Sequence, residues 1–225
     1  MLCIGHRGAM GYEPENTLRS IRKAIELGAD WVEIDVYLVN DQLLVIHDDT
    51  LDRTTNGTGD LEDYSFEEIR VLDAGKGERI PTLQEVLDLT KRQVGLNIEL
   101  KSVGAANAVV TLLAKLSKGH REKVLISSFM MDALKELVKL DSTLKIGVLA
   151  SGNEQRSLKY AAELNAISIH FSREQVSRMC VDDAHLAGLL VYVYTVNEYT
   201  DLQRMRDLGV DGVYSNFPDR VRHYQ

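Results

Sequence analysis

The sequence predicts an α/β fold, a (β/α)₈ or TIM barrel, on three observations. Short runs rich in β-branched residues alternate with longer amphipathic segments, as parallel strands joined by helical crossovers do. Eight such runs fall within 225 residues, slightly below the roughly 250 typical of the barrel. Hydrophobic residues make up 44% and charged residues 27%, which supports a sizeable core under a solvated surface and argues against disorder. Residues 1–225 are therefore read as one barrel domain, with a doubly wound open sheet as the structural rival.

The strand candidates, in order, are residues 2–6 (LCIGH), 31–36 (WVEIDV), 95–100 (GLNIEL), 124–129 (VLISSF), 145–150 (KIGVLA), 166–170 (AISIH), 190–196 (LVYVYTV) and 211–216 (DGVYSN). Helix candidates lie between them at 16–28, 82–93, 105–119, 131–140, 155–165, around 173–187, and 197–209. Gly28 and Gly209 serve as C-terminal stops for the first and last of these.

One stretch breaks the rhythm. Residues 43–49 (LLVIHDD) follow the second strand after the turn formers Asn40 and Asp41, so they read as the return arm of a hairpin. A polar, loop-like insertion over about 49–81 comes next, carrying one short helix announced by the capping box that begins at Ser65. Placed after the carboxyl end of a strand, it would sit over the top of the barrel. The NGTG segment within it lacks a strand-to-helix context and reads as a plain turn rather than a phosphate cradle.

The net charge of −8 is spread along the chain with no acidic tail or basic cluster, which argues against a nucleic-acid partner. A phosphate-bearing substrate would then need local positive charge. Cys3 and Cys180 stand far apart outside any Cys-x-x-Cys pair, and read as buried thiols rather than a disulfide or zinc site. No leader-like segment opens the chain, and no apolar run approaches the roughly 20 residues needed to cross a bilayer. A cytoplasmic protein without membrane insertion is expected; its oligomeric state, a homo-oligomer included, stays open.

In a barrel, side chains at the carboxyl ends of strands face the active-site mouth. His6 and Arg7 end the first strand; Glu33 and Asp35 share one face of the second; His47 and Asp48 end its hairpin return. In the next strand Asn97, Glu99 and Lys101 share a face by the same alternation. Each could be an ordinary satisfied polar group, but carboxylates within apolar strands are costly unless a cation or partner neutralises them. Glu33, Asp35 and Glu99 offer only hard oxygen ligands, which suit Mg²⁺, Ca²⁺ or Mn²⁺ better than zinc. Two histidines, a metal, Arg7 and Lys101 suit phosphoryl chemistry, with proton transfer by imidazole and a cationic clamp on the anion.

At these residues the chain resembles the glycerophosphodiester phosphodiesterase family, of the cytoplasmic bacterial type. The resemblance rests on HRG at 6–8 with PENT at 14–17, EID at 33–35, HD at 47–48, ELK at 99–101 and YTVN at 194–197, in the family's order over nearly the whole chain. It implies a (β/α)₈ barrel with one divalent cation on Glu33, Asp35 and Glu99, His6 and His47 as the acid–base pair, and Arg7 and Lys101 on the phosphate. It also implies hydrolysis of substrates such as glycerophosphocholine or glycerophosphoethanolamine to glycerol 3-phosphate and an alcohol, through a cyclic phosphate by analogy with related phospholipases. Two positions depart from the family pattern. Tyr194 stands where tryptophan is usual, and Ser215-Asn216 replaces Thr-Asp; both are expected to leave the chemistry untouched.

Phe129 is a candidate for the substrate wall beside Tyr194, Glu15 for an approach to the metal, and Asn16 for a helix cap or a site residue. His170 reads as a strand-end structural residue or one overlooking the site, while His120, His185 and His223 read as solvated. Other functions stay in view: a lysophospholipase D-like activity, a barrel isomerase or aldolase using the metal and lysine, or a barrel that binds a phosphodiester without cleaving it.

Overall fold

The computed structural model describes residues 1–224. Its eight parallel strands are β1 (Leu2–Gly5), β2 (Trp31–Val39), β4 (Gly95–Leu100), β5 (Val124–Ser128), β6 (Lys145–Leu149), β7 (Ser168–Ser172), β8 (Leu190–Tyr194) and β9 (Gly212–Ser215). They run in the order β1, β9, β8, β7, β6, β5, β4, β2, and pairing of β1 with β2 closes the ring. The sheet is therefore a TIM barrel rather than an open doubly wound sheet.

The remaining strand, β3 (Gln42–Val45), pairs antiparallel with the outer end of β2 and lies outside the ring. Val39 opposes Gln42, so the hairpin loop is Asn40-Asp41, and both residues have positive φ, at 48° and 59°. A two-residue turn with both φ values positive matches the right-handed twist of the flanking strands, and Asn and Asp tolerate that conformation best after glycine. The return arm ends at Val45, earlier than the sequence pattern suggests, and residues 46–49 run on as irregular chain that delivers His47 over the mouth.

Among the described residues, ten α-helices accompany the strands: α1 (Leu18–Glu26), α2 (Phe66–Ile69), α3 (Leu83–Thr90), α4 (Ala105–Leu113), α5 (Lys118–Arg121), α6 (Met131–Leu140), α7 (Glu154–Glu163), α8 (Arg178–Leu186), α9 (Tyr199–Leu208) and α10 (Pro218–Tyr224). Three depart from expectation. The single segment 105–119 is split into α4 and α5, because Ser117 takes an extended conformation between them. The segment 173–187 starts only at Arg178, where the Ser177 side chain accepts from the backbone N–H of Cys180. α10 has no apolar period long enough to announce it, and it opens on Pro218, whose missing N–H costs nothing at a first helical position. Gly209 caps α9 at φ 80°, while Leu27 is the C-cap of α1 and Gly28 follows it at φ 81°.

Two apolar clusters matter for the site. The main core packs the outward side chains of the barrel strands, such as Val32, Ile34, Ile98 and Ile126, against the ring of helices. A second cluster packs Val39, Leu44 and Ile46 of the hairpin against Leu51, Leu61, Ile69, Ala74 and Ile80 of the insertion. Ser65 and Glu68 form the expected capping box at the start of α2. No helix among the described residues is long and apolar enough to cross a membrane.

Candidate active site

Strand alternation sends Val32, Ile34 and Val36 to the helices and Glu33 and Asp35 to the barrel interior. Glu33 faces Asn97 in the register between β2 and β4, and Asp35 faces Glu99, so the second strand's acids stand beside the third's. Ligand oxygens of Glu33, Asp35 and Glu99 all lie within 4.8 Å of one another. Asp35 is 1% exposed and Glu33 3%, a poor environment for clustered negative charge. Burial, then Asp35 and Glu99, raise Glu33 well above the usual carboxylate range; burial and Asp35 raise Glu99.

Two cations answer the acids. Arg7 Nε lies 3.2 Å from Asp35, and Lys101 Nζ lies 3.3 Å from Asp35 and 2.8 Å from Glu99. Burial works against both cations, yet the surrounding carboxylates prevail and raise them above their ordinary values. Asn97 Oδ1 is buried beside this cluster with no hydrogen-bond partner among the described residues. An orphaned acceptor next to three converging carboxylates fits a hard cation and its oxygen shell.

The HRG turn explains itself locally. Arg7 has φ 50° and Gly8 φ 83°, and a Cβ on Gly8 would come within 2.3 Å of Ser20 Oγ, so only glycine lets β1 turn this close against α1. The turn aims the Arg7 N–H at Glu33 Oε2, 2.8 Å away. Asn16 is not the cap of α1; that role belongs to Thr17, which accepts from the Ser20 N–H. Asn16 instead sits at φ 58° and clasps Asp35, donating from Nδ2 at 2.9 Å and accepting the Asp35 backbone N–H at 3.2 Å. Strained backbone at Arg7 and Asn16, both touching the acids, is the pattern of a site held by its surroundings.

His47 Nδ1 lies 2.6 Å from Asp48 Oδ1, and Arg53 of the insertion donates to the other Asp48 oxygen at 2.6 Å. Arg53 also forks onto both oxygens of Glu15, which in turn receives Arg7 Nη1 at 2.7 Å. An ion-pair relay thus runs from Arg7 through Glu15, Arg53 and Asp48 to His47. The hydrogen bond from Arg53 leads in pulling Asp48 down to about 2; burial opposes and His47 helps. Glu15 serves this relay rather than the acid cluster.

His6, Arg7, Glu33, His47, Glu99 and Lys101 line one cavity of about 170 Å³ with Phe129 and Tyr194. Phe129 is 41% exposed at the rim, its ring edge-on to Tyr194 with centroids 6.1 Å apart. Burial, then Glu99, push the Tyr194 hydroxyl up to about 12, so it stays protonated. Asn97, Leu149, Thr195 and Tyr214 complete the wall; Thr195 falls within the YTVN motif, whereas no sequence pattern singled out Leu149 or Tyr214.

Of the histidines weighed in sequence, His170 lies within β7 rather than at its end. It is buried inside the barrel between Ser168 Oγ at 2.9 Å and the Tyr214 hydroxyl at 3.0 Å, and burial alone pushes it down to about 3. His185, on α8, pairs with Asp211 just before β9, and His120 and His223 lie outside the cavity. The departure at Asn216 does reach the site, because its Oδ1 lies 2.8 Å from His6 Nδ1.

Residues 6–220 match the glycerophosphoryl diester phosphodiesterase family. The chain belongs to that family. It is an enzyme of the phosphodiesterase class. A glycerophosphodiester phosphodiesterase of Caldanaerobacter subterraneus subsp. tengcongensis is 38% identical, covering 98% of this chain and 96% of the relative. One from Bacillus subtilis is 34% identical over 97% of this chain and 84% of its own. Among solved structures, a phosphodiesterase of Oleispira antarctica in complex with the product sn-glycerol-3-phosphate superposes with a TM-score of 0.93 at 30% identity, covering 100% of this chain and 96% of that one.

Proposed function

We propose that the enzyme hydrolyses small glycerophosphodiesters, such as glycerophosphocholine and glycerophosphoethanolamine, to glycerol 3-phosphate and the free alcohol. The observation that carries the reading is one cavity lined by His6, His47, Arg7 and Lys101 together with Glu33 and Glu99, two of three clustered carboxylates. The Oleispira antarctica relative, bound to sn-glycerol-3-phosphate, supports the same product here.

Glu33, Asp35 and Glu99 would hold one divalent cation, Mg²⁺ or Ca²⁺ with Mn²⁺ as a further candidate. When bound, such an ion supplies neutralisation of phosphate charge and orientation of a substrate oxygen. Arg7 and Lys101 take phosphate oxygens and stabilise charge as it develops on them. One of His6 and His47 takes the proton of the glycerol hydroxyl next to the ester while the other gives a proton to the departing alcohol. The resulting cyclic phosphate is opened by water with the two imidazoles exchanging roles. Phe129 and Tyr194 flank the glycerol and exclude water.

The barrel with its 49–81 insertion acts as one unit in this scheme, without a nucleic-acid partner; a homo-oligomer is compatible with it. A cytoplasmic site of action is part of the reading, supported by two free buried thiols, Cys3 and Cys180. The exposed Phe129 and Val103 on loops at the strands' carboxyl ends favour a second reading, acceptance of lysophospholipids.

Release of glycerol 3-phosphate from both head-group substrates, measured on chelated protein and after addition of Mg²⁺, Ca²⁺ or Mn²⁺, tests the proposal. Metal-restored release that disappears in Glu33→Ala and His6→Ala is the expected result. Folded protein inactive with every metal on these substrates and on a lysophospholipid panel would overturn it in favour of a binding barrel.

A further inference from the structure

Asn216 is gripped on three sides. Its backbone N–H donates to Asn197 Oδ1 at 2.9 Å, its carbonyl accepts from the Gly11 N–H at 2.9 Å, and its side-chain Oδ1 lies 2.8 Å from His6 Nδ1. Closure of the ring sets up the last contact: Gly5 is in register with Ser215, the His6 N–H donates to the Ser215 carbonyl, and the two following side chains emerge together. His47 has a different partner at the same ring nitrogen, the carboxylate of Asp48. A neutral amide oxygen can accept a proton's hydrogen bond without drawing a second proton onto the ring, whereas a carboxylate stabilises the imidazolium.

We propose that Asn216 is a positioning residue that holds His6 through its Nδ1–H, leaving an unprotonated Nε2 toward the cavity and making His6 the proton acceptor of the first step. The inference rests on the reading of His6 and His47 as the acid–base pair. In that step Nε2 takes the proton of the glycerol hydroxyl as its oxygen bonds to phosphorus. The bond from phosphorus to the alcohol oxygen breaks, and that oxygen takes the proton of His47. Charged and titratable groups act on His6 or line the same cavity from several elements: Arg7 and Glu15 follow β1, Glu33 and Asp35 lie on β2, His47 follows β3, Glu99 lies on β4 with Lys101 just after it, and Tyr194 and Tyr214 lie on β8 and β9. Burial first, then the Arg7 cation, lower His6 to about 4 against the opposing pull of Asn216, Asp35 and Glu15.

The test reads the tautomer and the pH profile separately. Nitrogen-15 histidine spectra of the wild type, with His6 assigned by its loss in His6→Ala, are expected to show the Nδ1–H form. The Nε2–H form would overturn the proposal. Asn216→Asp is expected to move the acidic limb of kcat/KM to higher pH by about one unit or more, because a carboxylate now favours the imidazolium. An unmoved limb in folded Asn216→Asp also overturns it. Asn216→Ala is expected to lower kcat with KM within about twofold and to abolish the single-tautomer spectrum. Full activity in His6→Ala would instead sink the acid–base reading, while the wild-type spectrum still decides what Asn216 does.

Discussion

The two halves of the barrel mouth are built from different materials. Strands β1, β2 and β4 with the hairpin contribute His6, Arg7, Glu33, Asp35, His47, Glu99 and Lys101, all charged or titratable. Strands β5 to β8 contribute Phe129, Leu149 and Tyr194 to the same cavity. One half carries charge that must be countered and aimed; the other carries shape. Loss on the first half should appear in kcat, and loss on the second in KM.

The largest expected break is His47→Ala, which should lower kcat by roughly 10²- to 10⁴-fold with KM little changed, in steady-state assays of glycerol 3-phosphate release. Glu33→Gln should abolish the rise in melting temperature that a divalent cation produces in chelated wild-type protein. The pH dependence of stability sharpens that case. Glu33 is raised above its ordinary 4.5 in the folded protein, so the unfolded chain ionises it more easily. Its destabilising contribution is absent below 4.5 and grows as pH rises through the folded value. Chelated wild type should therefore lose melting temperature over that rise, and Glu33→Gln should lose less.

A smaller effect is expected at Arg53, which contacts neither the acid cluster nor the cavity wall. Arg53→Ala should lower kcat on the order of 10-fold by freeing Asp48 and so loosening His47, and Arg53→Lys should recover only part because it cannot fork onto Glu15. The smallest is on the apolar half: Phe129→Ala and Tyr194→Ala should each raise KM by roughly 3- to 10-fold at nearly constant kcat. Equal losses in kcat on both halves would erase the division of labour.

Much of the charged half was legible because its residues stand in strands, where alternation assigns a face without knowledge of the fold. Glu33 with Asp35, and Asn97 with Glu99 and Lys101, follow from a period of two. The barrel itself followed from alternating elements. What could not be read were contacts between segments far apart in sequence. Asn216 meets His6 only because the ring closes, and Asn16 grips Asp35 only because the turn after β1 doubles back in a left-handed conformation. Arg53 sits in a polar stretch whose composition resembles any loop. On the apolar wall Phe129 and Tyr194 were named, but Leu149 was not, since at the end of β6 it looks in sequence like every other core leucine.

The second apolar cluster, shared by hairpin and insertion, has a further consequence for cooperativity. His47 and Asp48 stand between the hairpin, whose Leu43 and Val45 join the main core, and the insertion, which packs on Val39, Leu44 and Ile46 in the second cluster. The insertion, joined to the barrel through this second cluster, is expected to be less protected than the main core. Backbone amides at Leu51, Leu61 and Ile69 would then exchange with solvent faster than those of the barrel strands. The Arg53 fork onto Glu15 ties the insertion to the barrel there, together with Lys76 on Glu13 and Arg70 on Glu85.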